Sequence, residues 1–300
     1  MIEAKINIAN NNFNDYFKLM LEKEINLLIK VSLEEDLNDV GDVTSDAIIN
    51  DTQQGTAIII AKQDGIFAGG FVVQMVFSYL DPSMKVCIHF PEGARIEDRS
   101  IVATIKGSLK KILLGERTAL NFLSRISGIA TFTNLFIDKL KGSNIKILDT
   151  RKTIPGWRFL DKYAVAMGGA KNHRIGLFDM ILIKENHILA AGGIEKAIEL
   201  CRTYLFEHKL NLPIEIETKS IEEVKQSLKA NVDRIMLDNM NIDQIKEAVK
   251  IVNRRTELEV SGGVNITNIA DYYDSGVDYI SIGQLTHSAP AFDFSLLVEK

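Results

Sequence analysis

Between Arg151 and Ala190 the chain carries seven Lys/Arg side chains (Arg151, Lys152, Arg158, Lys162, Lys171, Arg174 and Lys184) against three acids (Asp161, Asp179 and Glu185). His173 and His187 lie in the same window, yet the formal net charge of the whole chain is −5. A solvated basic face is one reading of such a run. Several of these cations, however, directly follow short apolar runs, where a strand would end and a solvated face is not expected. Guanidinium forks match the geometry of carboxylates and phosphates, so the other reading is a pocket for a polyanion.

Glu215 and Glu217 stand two residues apart, which on a strand puts both on one face. If Ile214 and Ile216 face away, the two carboxylates point inward and need a cation, a proton or a donor. An exposed edge strand would also accommodate them. In the inward reading one carboxylate meets a metal or a sugar hydroxyl, and the other is held by a lysine such as Lys184. Further on, Ser261-Gly262-Gly263 precedes a predicted helix whose cap is Asn265 or Thr267, and Gly283 closes a last strand. Glycines at such points let backbone N–H groups approach a phosphate. Gly-Gly is also plain turn chemistry, so the suggestion comes from the pair on consecutive strands.

These groups need elements to position them. A stripe of Phe17, Met20, Leu21, Ile25, Leu28 and Ile29 predicts a helix over about 13–33. Short strands follow at 56–61, 85–90 and 101–105, and then a long helix over 116–140 with a possible break at Gly128. From there strands alternate with helices. The strands are predicted at 146–148, 180–183, 214–216, 234–237, 258–260 and 279–282, and the later helices at 221–230, 242–255 and 266–275. That alternation reads as a parallel α/β sheet, closed or doubly wound, and no GxGxxG supports a dinucleotide fold. In a barrel of this type the active site lies at the carboxyl ends of the strands. Those ends read Asp149-Thr150-Arg151-Lys152, Lys184-Glu185-Asn186-His187, Glu215 with Glu217, Asp238-Asn239, Ser261-Gly262-Gly263 and Gly283-Gln284. The residues alone lead to a barrel enzyme acting on a phosphorylated, carboxylated small molecule.

Composition agrees. Of 300 residues 46% are hydrophobic and 25% charged, which is ordinary for globular chains and excludes disordered and collagen-like classes. The negative balance argues against a nucleic-acid partner. Cys87 and Cys201 stand in no metal-binding or disulfide spacing. No stretch reaches the length of a membrane span and the N-terminus has no apolar leader core, so a cytoplasmic location without membrane association is expected.

At Asp149 the text becomes recognisable. Asp149-Thr-Arg-Lys-Thr-Ile-Pro-Gly156, Gly168-Gly-Ala-Lys-Asn-His-Arg174 and Ile183-Lys-Glu-Asn-His187 closely resemble the quinolinate phosphoribosyltransferase family. So do Glu34-Glu-Asp-Leu37, Gly41-Asp-Val-Thr-Ser45, Gly115-Glu-Arg-Thr-Ala-Leu-Asn121 and Ser127-Gly-Ile-Ala-Thr131 upstream. Downstream, Ile214-Glu-Ile-Glu217, Leu237-Asp-Asn239, Ser261-Gly-Gly263 and Leu285-Thr-His287 follow in family order. Asn38 stands where a glycine is usual, and the loop before Gly41 is slightly longer. The resemblance runs from about Leu33 to His287.

It implies a type II phosphoribosyltransferase fold: an α/β sandwich over 1–127, joined by a returning segment 288–300, and an incomplete seven-stranded α/β barrel over 128–287. It implies quinolinate and 5-phosphoribosyl-1-pyrophosphate as substrates, with nicotinate mononucleotide, carbon dioxide and pyrophosphate as products, in de novo NAD biosynthesis. Magnesium is the implied cofactor, and a homodimer with a shared active site the implied assembly. By similarity, quinolinate is bound by Arg151, His173, Arg174 and Lys184, with Arg117 donated across the dimer. The phosphoribosyl donor would meet Lys152 and His287, or His187, and backbone groups at Ser261, Gly262, Gly263 and Gly283. Glu217 and Asp238 would hold ribose hydroxyls or the magnesium, directly or through water, and act with Lys184 in catalysis. A related type II paralogue, nicotinate-specific or molybdenum-associated, and a silent binding paralogue are the rivals. A second set of carboxylate-binding cations argues against the nicotinate-specific form, and intact site charges argue against the silent one.

Overall fold

The computed structural model describes residues 11–299, with side chains from Lys23 onward. In chain order the elements are α1 (Asn11–Leu37), α2 (Val43–Ile48), β1 (Gln54–Ala61), β2 (Gly65–Ile66), α3 (Gly70–Leu80), β3 (Lys85–Ile88), β4 (Arg95–Ile96), β5 (Ile101–Ser108) and α4 (Leu109–Lys139). They continue with β6 (Lys146–Leu148), α5 (Arg158–Met167), β7 (Ile181–Ile183), α6 (Glu185–Ala191), α7 (Ile194–Glu207), β8 (Ile214–Thr218), α8 (Ile221–Lys229) and β9 (Arg234–Asp238). Last come α9 (Ile242–Val252), β10 (Glu257–Ser261), β11 (Tyr279–Ser281), α10 (Gln284–His287) and β12 (Phe294–Val298). In α1 the expected stripe is present at the buried Ile25 and Ile29. The side chains of Phe17, Met20 and Leu21 lie outside the described residues. Asn38 ends α1 at φ 45°, a left-handed conformation that asparagine tolerates better than most residues, so it can stand where a glycine is usual.

The chain forms two compact units. Among the described residues, one comprises those up to 132, 154–169 and those from 289 onward, and the other 133–153 and 170–288. A division after residue 127 with only 288–300 returning assigns 154–169 to the barrel, but those residues pack within the first unit. The side chains give the reason. Tyr163 donates to Glu92 at 2.7 Å, and Arg125 grips Asp161 through two nitrogens at 3.0 and 2.9 Å. Trp157 stacks on Phe122 with centroids 4.8 Å apart.

The first unit holds an antiparallel sheet of order β12-β1-β5-β3, so the last strand of the chain pairs with the first. Helix α4 runs unbroken through Gly128, contrary to the possible break there. A Cβ at Gly128 would strike the carbonyl of Pro290 and the backbone of Phe292. The glycine therefore serves close approach of the returning chain, and the helix tolerates its entropic cost.

The second unit holds six parallel strands in the order β6-β11-β10-β9-β8-β7. A parallel bridge between Leu148 and Lys171 continues the sheet by one residue beside β6, in an incomplete α/β barrel. The two faces of these strands differ sharply. Ile181, Ile183, Ile214, Ile216, Ile235, Leu237, Leu258, Val260, Ile280 and Ile282 form the apolar face that helices cover. The other face carries Leu182, Lys184, Glu215, Glu217, Arg234, Met236, Asp238, Glu257, Glu259, Ser261, Tyr279 and Ser281. Parallel strands usually read as continuous apolar runs, so a polar inner face marks a site. Helices α8 and α9 start where Ser220 and Asn241 accept the N–H groups of Glu223 and Gln244. The helix expected over 266–275 is only a 3-10 turn, Ile269–Tyr272. Asn265 Oδ1 accepts from the N–H groups of Thr267 and Asn268, and Asn268 Oδ1 from that of Asn265; these side chains compete with a helical ladder. Among the described residues no helix is long and apolar enough to cross a membrane.

Candidate active site

The carboxyl ends of the barrel strands open into a cavity of about 670 Å³. At the end of β6, the fully buried Asp149 accepts the His173 N–H at 2.8 Å and the Asn172 amide at 2.7 Å. This tie brings the segment bearing His173 and Arg174 beside the segment bearing Arg151 and Lys152, and all four line the cavity. Arg174 is braced by one bond, NH1 to the Met180 carbonyl at 3.1 Å. Burial and the neighbouring Arg151 both push its pKa down, so the two guanidinium groups repel each other where they stand. Arg151 Nε is buried and donates to no acceptor. Two crowded cations, one with an unmet donor, form a place for a dianion.

Lys152 is set from two sides. Its carbonyl accepts the Thr286 hydroxyl at 2.9 Å, and its side chain passes Gly283 so closely that a Cβ there would lie 2.9 Å from Lys152 Cδ and 3.2 Å from His287 Nε2. Gly283 thus keeps Lys152 and His287 together at the cavity wall. His187 does not join them. Its Nδ1 accepts the Lys184 N–H at 2.9 Å and caps α6, so of the two histidines considered for phosphate only His287 lines the cavity.

Glu217 and Asp238 project from adjacent strands into the cavity. Lys184 Nζ lies 3.5 Å from Glu217 Oε2. Of the two glutamates the lysine therefore holds Glu217, and Glu215 turns to a histidine instead. Glu215 is fully buried, with His173 Nε2 at 3.1 Å from its Oε2. The reason is register: Glu215 lies one pleat nearer the amino end of β8, level with Arg234. Burial by itself would lower the His173 pKa, but Glu215 and Glu259 outweigh it and lift it to about 9. A second ring proton would turn Nδ1 into a donor against the Arg174 N–H, which it accepts at 2.8 Å. The Arg174 N–H therefore opposes the second ring proton that the two glutamates favour. Burial raises the pKa of Glu215. It acts likewise on Glu259, but His173, Ser281 and Arg234 outweigh it and hold Glu259 ionised.

Ser261, Gly262 and Gly263 line the same cavity. Gly262 and Gly263 have φ of +91° and +67°, which only glycine adopts freely. The Asn239 carboxamide occupies the space where a Gly262 Cβ would be. That carboxamide donates to Asp238 Oδ2 at 3.0 Å. Gly262→Ala is therefore expected to displace Asn239 and loosen Asp238. The KM of the substrate that meets Asp238 should rise about tenfold, an effect of the size of one charge-assisted hydrogen bond, with Tm lowered by a few degrees. Unchanged kinetics in a folded variant would refute that coupling.

Besides His187, one further expected site residue does not line this cavity. Arg117 lies exposed on α4 in the first unit. The lining also includes Asn239, from the expected strand end, and Glu259, Met236, Ser281 and Leu182, which the sequence does not single out as site residues. Glu259 was within reach of it. The i, i+2 rule applied to Glu215 and Glu217 places Glu257, Glu259 and Ser261 on one face equally well. His173, Glu215 and Glu259 bring ligand atoms within 4.8 Å of one another, but Arg234 already supplies positive charge there, 3.1 Å from Glu259.

The quinolinate phosphoribosyl transferase N-terminal domain model matches residues 42–127, and the C-terminal domain model residues 129–297. The chain is 42% identical over 287 residues to quinolinate phosphoribosyltransferase [decarboxylating] 2b, mitochondrial, of Nicotiana tabacum, covering 91% of this chain and 81% of that one. It is 40% identical over 256 residues to the probable nicotinate-nucleotide pyrophosphorylase [carboxylating] of Bacillus subtilis, covering 85% and 87%. The crystal structure of NadC from Streptococcus pyogenes superposes with a TM-score of 0.87 at 38% identity, over 92% of this chain and 98% of that one.

Proposed function

Because this chain belongs to the quinolinate phosphoribosyltransferase family, we infer that it transfers a phosphoribosyl group from 5-phosphoribosyl-1-pyrophosphate to the ring nitrogen of quinolinate. The products are nicotinate mononucleotide, carbon dioxide and pyrophosphate. The observation that supports this most is the Arg151–Arg174 pair with its unmet buried donor. Quinolinate carries two adjacent ring carboxylates, and two fixed guanidinium groups match them.

The residues divide the work. Arg151 and Arg174 clamp the ring so that its nitrogen faces the sugar. Lys152, His287 and the backbone around Gly262 and Gly283 receive the donor's phosphates. Glu217 and Asp238 face the sugar carbon as it gains positive charge while the C–O bond to pyrophosphate breaks. Two carboxylates aimed at that charge stabilise it without reorganising. The nitrogen lone pair forms the new C–N bond and leaves the ring cationic. The bond from the ring to the carboxylate next to nitrogen then breaks, its electrons stay on the ring carbon, and a proton takes the vacated place. No covalent intermediate with the protein is needed; holding the reactants in line supplies much of the rate.

Glu217 and Asp238 offer the hard oxygen donors that magnesium takes, usually one or two carboxylates together with substrate phosphates. They would hold that ion, whose chemistry is to neutralise charge on the departing pyrophosphate. The assay is direct: quinolinate should give nicotinate mononucleotide only with donor and magnesium present. Absence of product, or equal turnover of nicotinate, would reject the reading.

A homodimer completes the proposal, with Arg117 reaching the cavity of the partner. Mixing Arg117→Ala with Lys184→Ala should then restore activity, because a twofold dimer assembled at random has about one quarter of its sites intact. No recovery in verified mixed dimers would rule out the shared site.

A further inference from the structure

Beneath the cavity floor runs a row of charge that the transfer itself does not use. Glu259 is fully buried and also lines the cavity. One of its oxygens lies 3.5 Å from His173 Nε2 and accepts from Arg234 NH1 at 3.1 Å. Arg234 is the first residue of β9, and its other nitrogens donate to Glu257 at 3.2 and 2.9 Å. The guanidinium lies 4.0 Å over the Tyr279 ring, whose hydroxyl donates to Glu257 at 2.9 Å. The row thus starts at the amino ends of the strands, in a guanidinium locked on three sides. It ends at an imidazole whose Nδ1 accepts the backbone N–H of Arg174.

Buried ion pairs are costly, and apolar packing of equal volume is often at least as stable. The outward face of the same strands is built from Ile, Leu and Val. Retaining charge here fits a need for direction, since two carboxylates 3.1 and 3.5 Å from one ring nitrogen restrict the angle of the ring in a way that packing does not. We propose that Glu259, braced by Arg234, is a positioning residue for the dicarboxylate substrate: it sets the His173 ring, which anchors the Arg174 backbone so that the guanidinium enters the cavity in one pose. The inference rests on the quinolinate reading above. It adds two residues, one of them remote from the substrate, to the determinants of quinolinate affinity.

Glu259→Gln keeps shape and removes charge, and Arg234→Lys keeps charge and removes the fork. Quinolinate affinity is measured by calorimetry on the full-length protein, and the KM of each substrate and kcat by turnover. Glu259→Gln should weaken quinolinate binding about tenfold or more and raise the quinolinate KM in parallel, with the donor KM within about twofold. Arg234→Lys should weaken it less. If Glu259→Gln fails to fold, Arg234→Lys carries the test alone, through the same split between the two KM values. Equal shifts in both KM values, or quinolinate affinity unchanged in either folded variant, would overturn the inference. Wild-type protein that neither binds nor consumes quinolinate would instead overturn the reading on which it rests, and the inference with it.

Discussion

Arg174→Ala should reduce kcat/KM for quinolinate by about 10²- to 10³-fold, the range expected when one partner of a partly buried charge pair is lost. The same variant should leave Tm nearly unchanged. The Arg174 side chain makes one described hydrogen bond, to the Met180 carbonyl, and its removal also relieves the repulsion from Arg151. The two effects on stability oppose each other. The donor KM should stay within a few-fold, because Lys152 and the Gly262 and Gly283 segments are untouched. A Tm fall of ten degrees or more with an unchanged quinolinate KM would mean that Arg174 is structural. Arg174→Lys should recover little, since an ammonium cannot reproduce the two-pronged geometry.

Glu217→Gln is expected to act on the other parameter. It keeps volume and removes the charge that faces the sugar carbon, so kcat should fall about 10²- to 10³-fold, as when one preorganised electrostatic partner is removed. The quinolinate KM should change little. Lys184 would lose its partner at 3.5 Å, but that lysine side chain is half exposed, so the pair adds little to stability. Pre-steady-state measurement of pyrophosphate release separates a slowed chemical step from slowed product loss. A normal burst with a slowed steady state would place Glu217 in product release.

Much of this arrangement is legible in the residues before any coordinates. Arg151, Lys152 and Lys184 follow apolar runs, and a barrel places such positions at one mouth, whereas Arg174 is brought there by the tie of His173 to Asp149. Glu215 and Glu217 betray the polar inner face because they are two apart. Their different partners are not legible, since which lysine or histidine meets which carboxylate depends on stagger between strands distant in sequence. Gly128 reads as a weak point in a helix, and only the passage of residues 290–292 alongside shows why it is tolerated. The segment 266–275 has helical spacing but lacks the helix, because Asn265 and Asn268 satisfy its backbone first. Residues 154–169 follow a barrel strand in sequence, yet Asp161 and Tyr163 find Arg125 and Glu92 in the first unit.

The fit of Asn239 into the room left by the missing Gly262 side chain makes these two positions a lock with no half-turn. Any lineage that replaces the glycine must first shrink or swing aside the asparagine, and doing so frees the neighbouring acid. Drift at the glycine is therefore barred while the asparagine stands, so the order of change runs one way, through position 239 first.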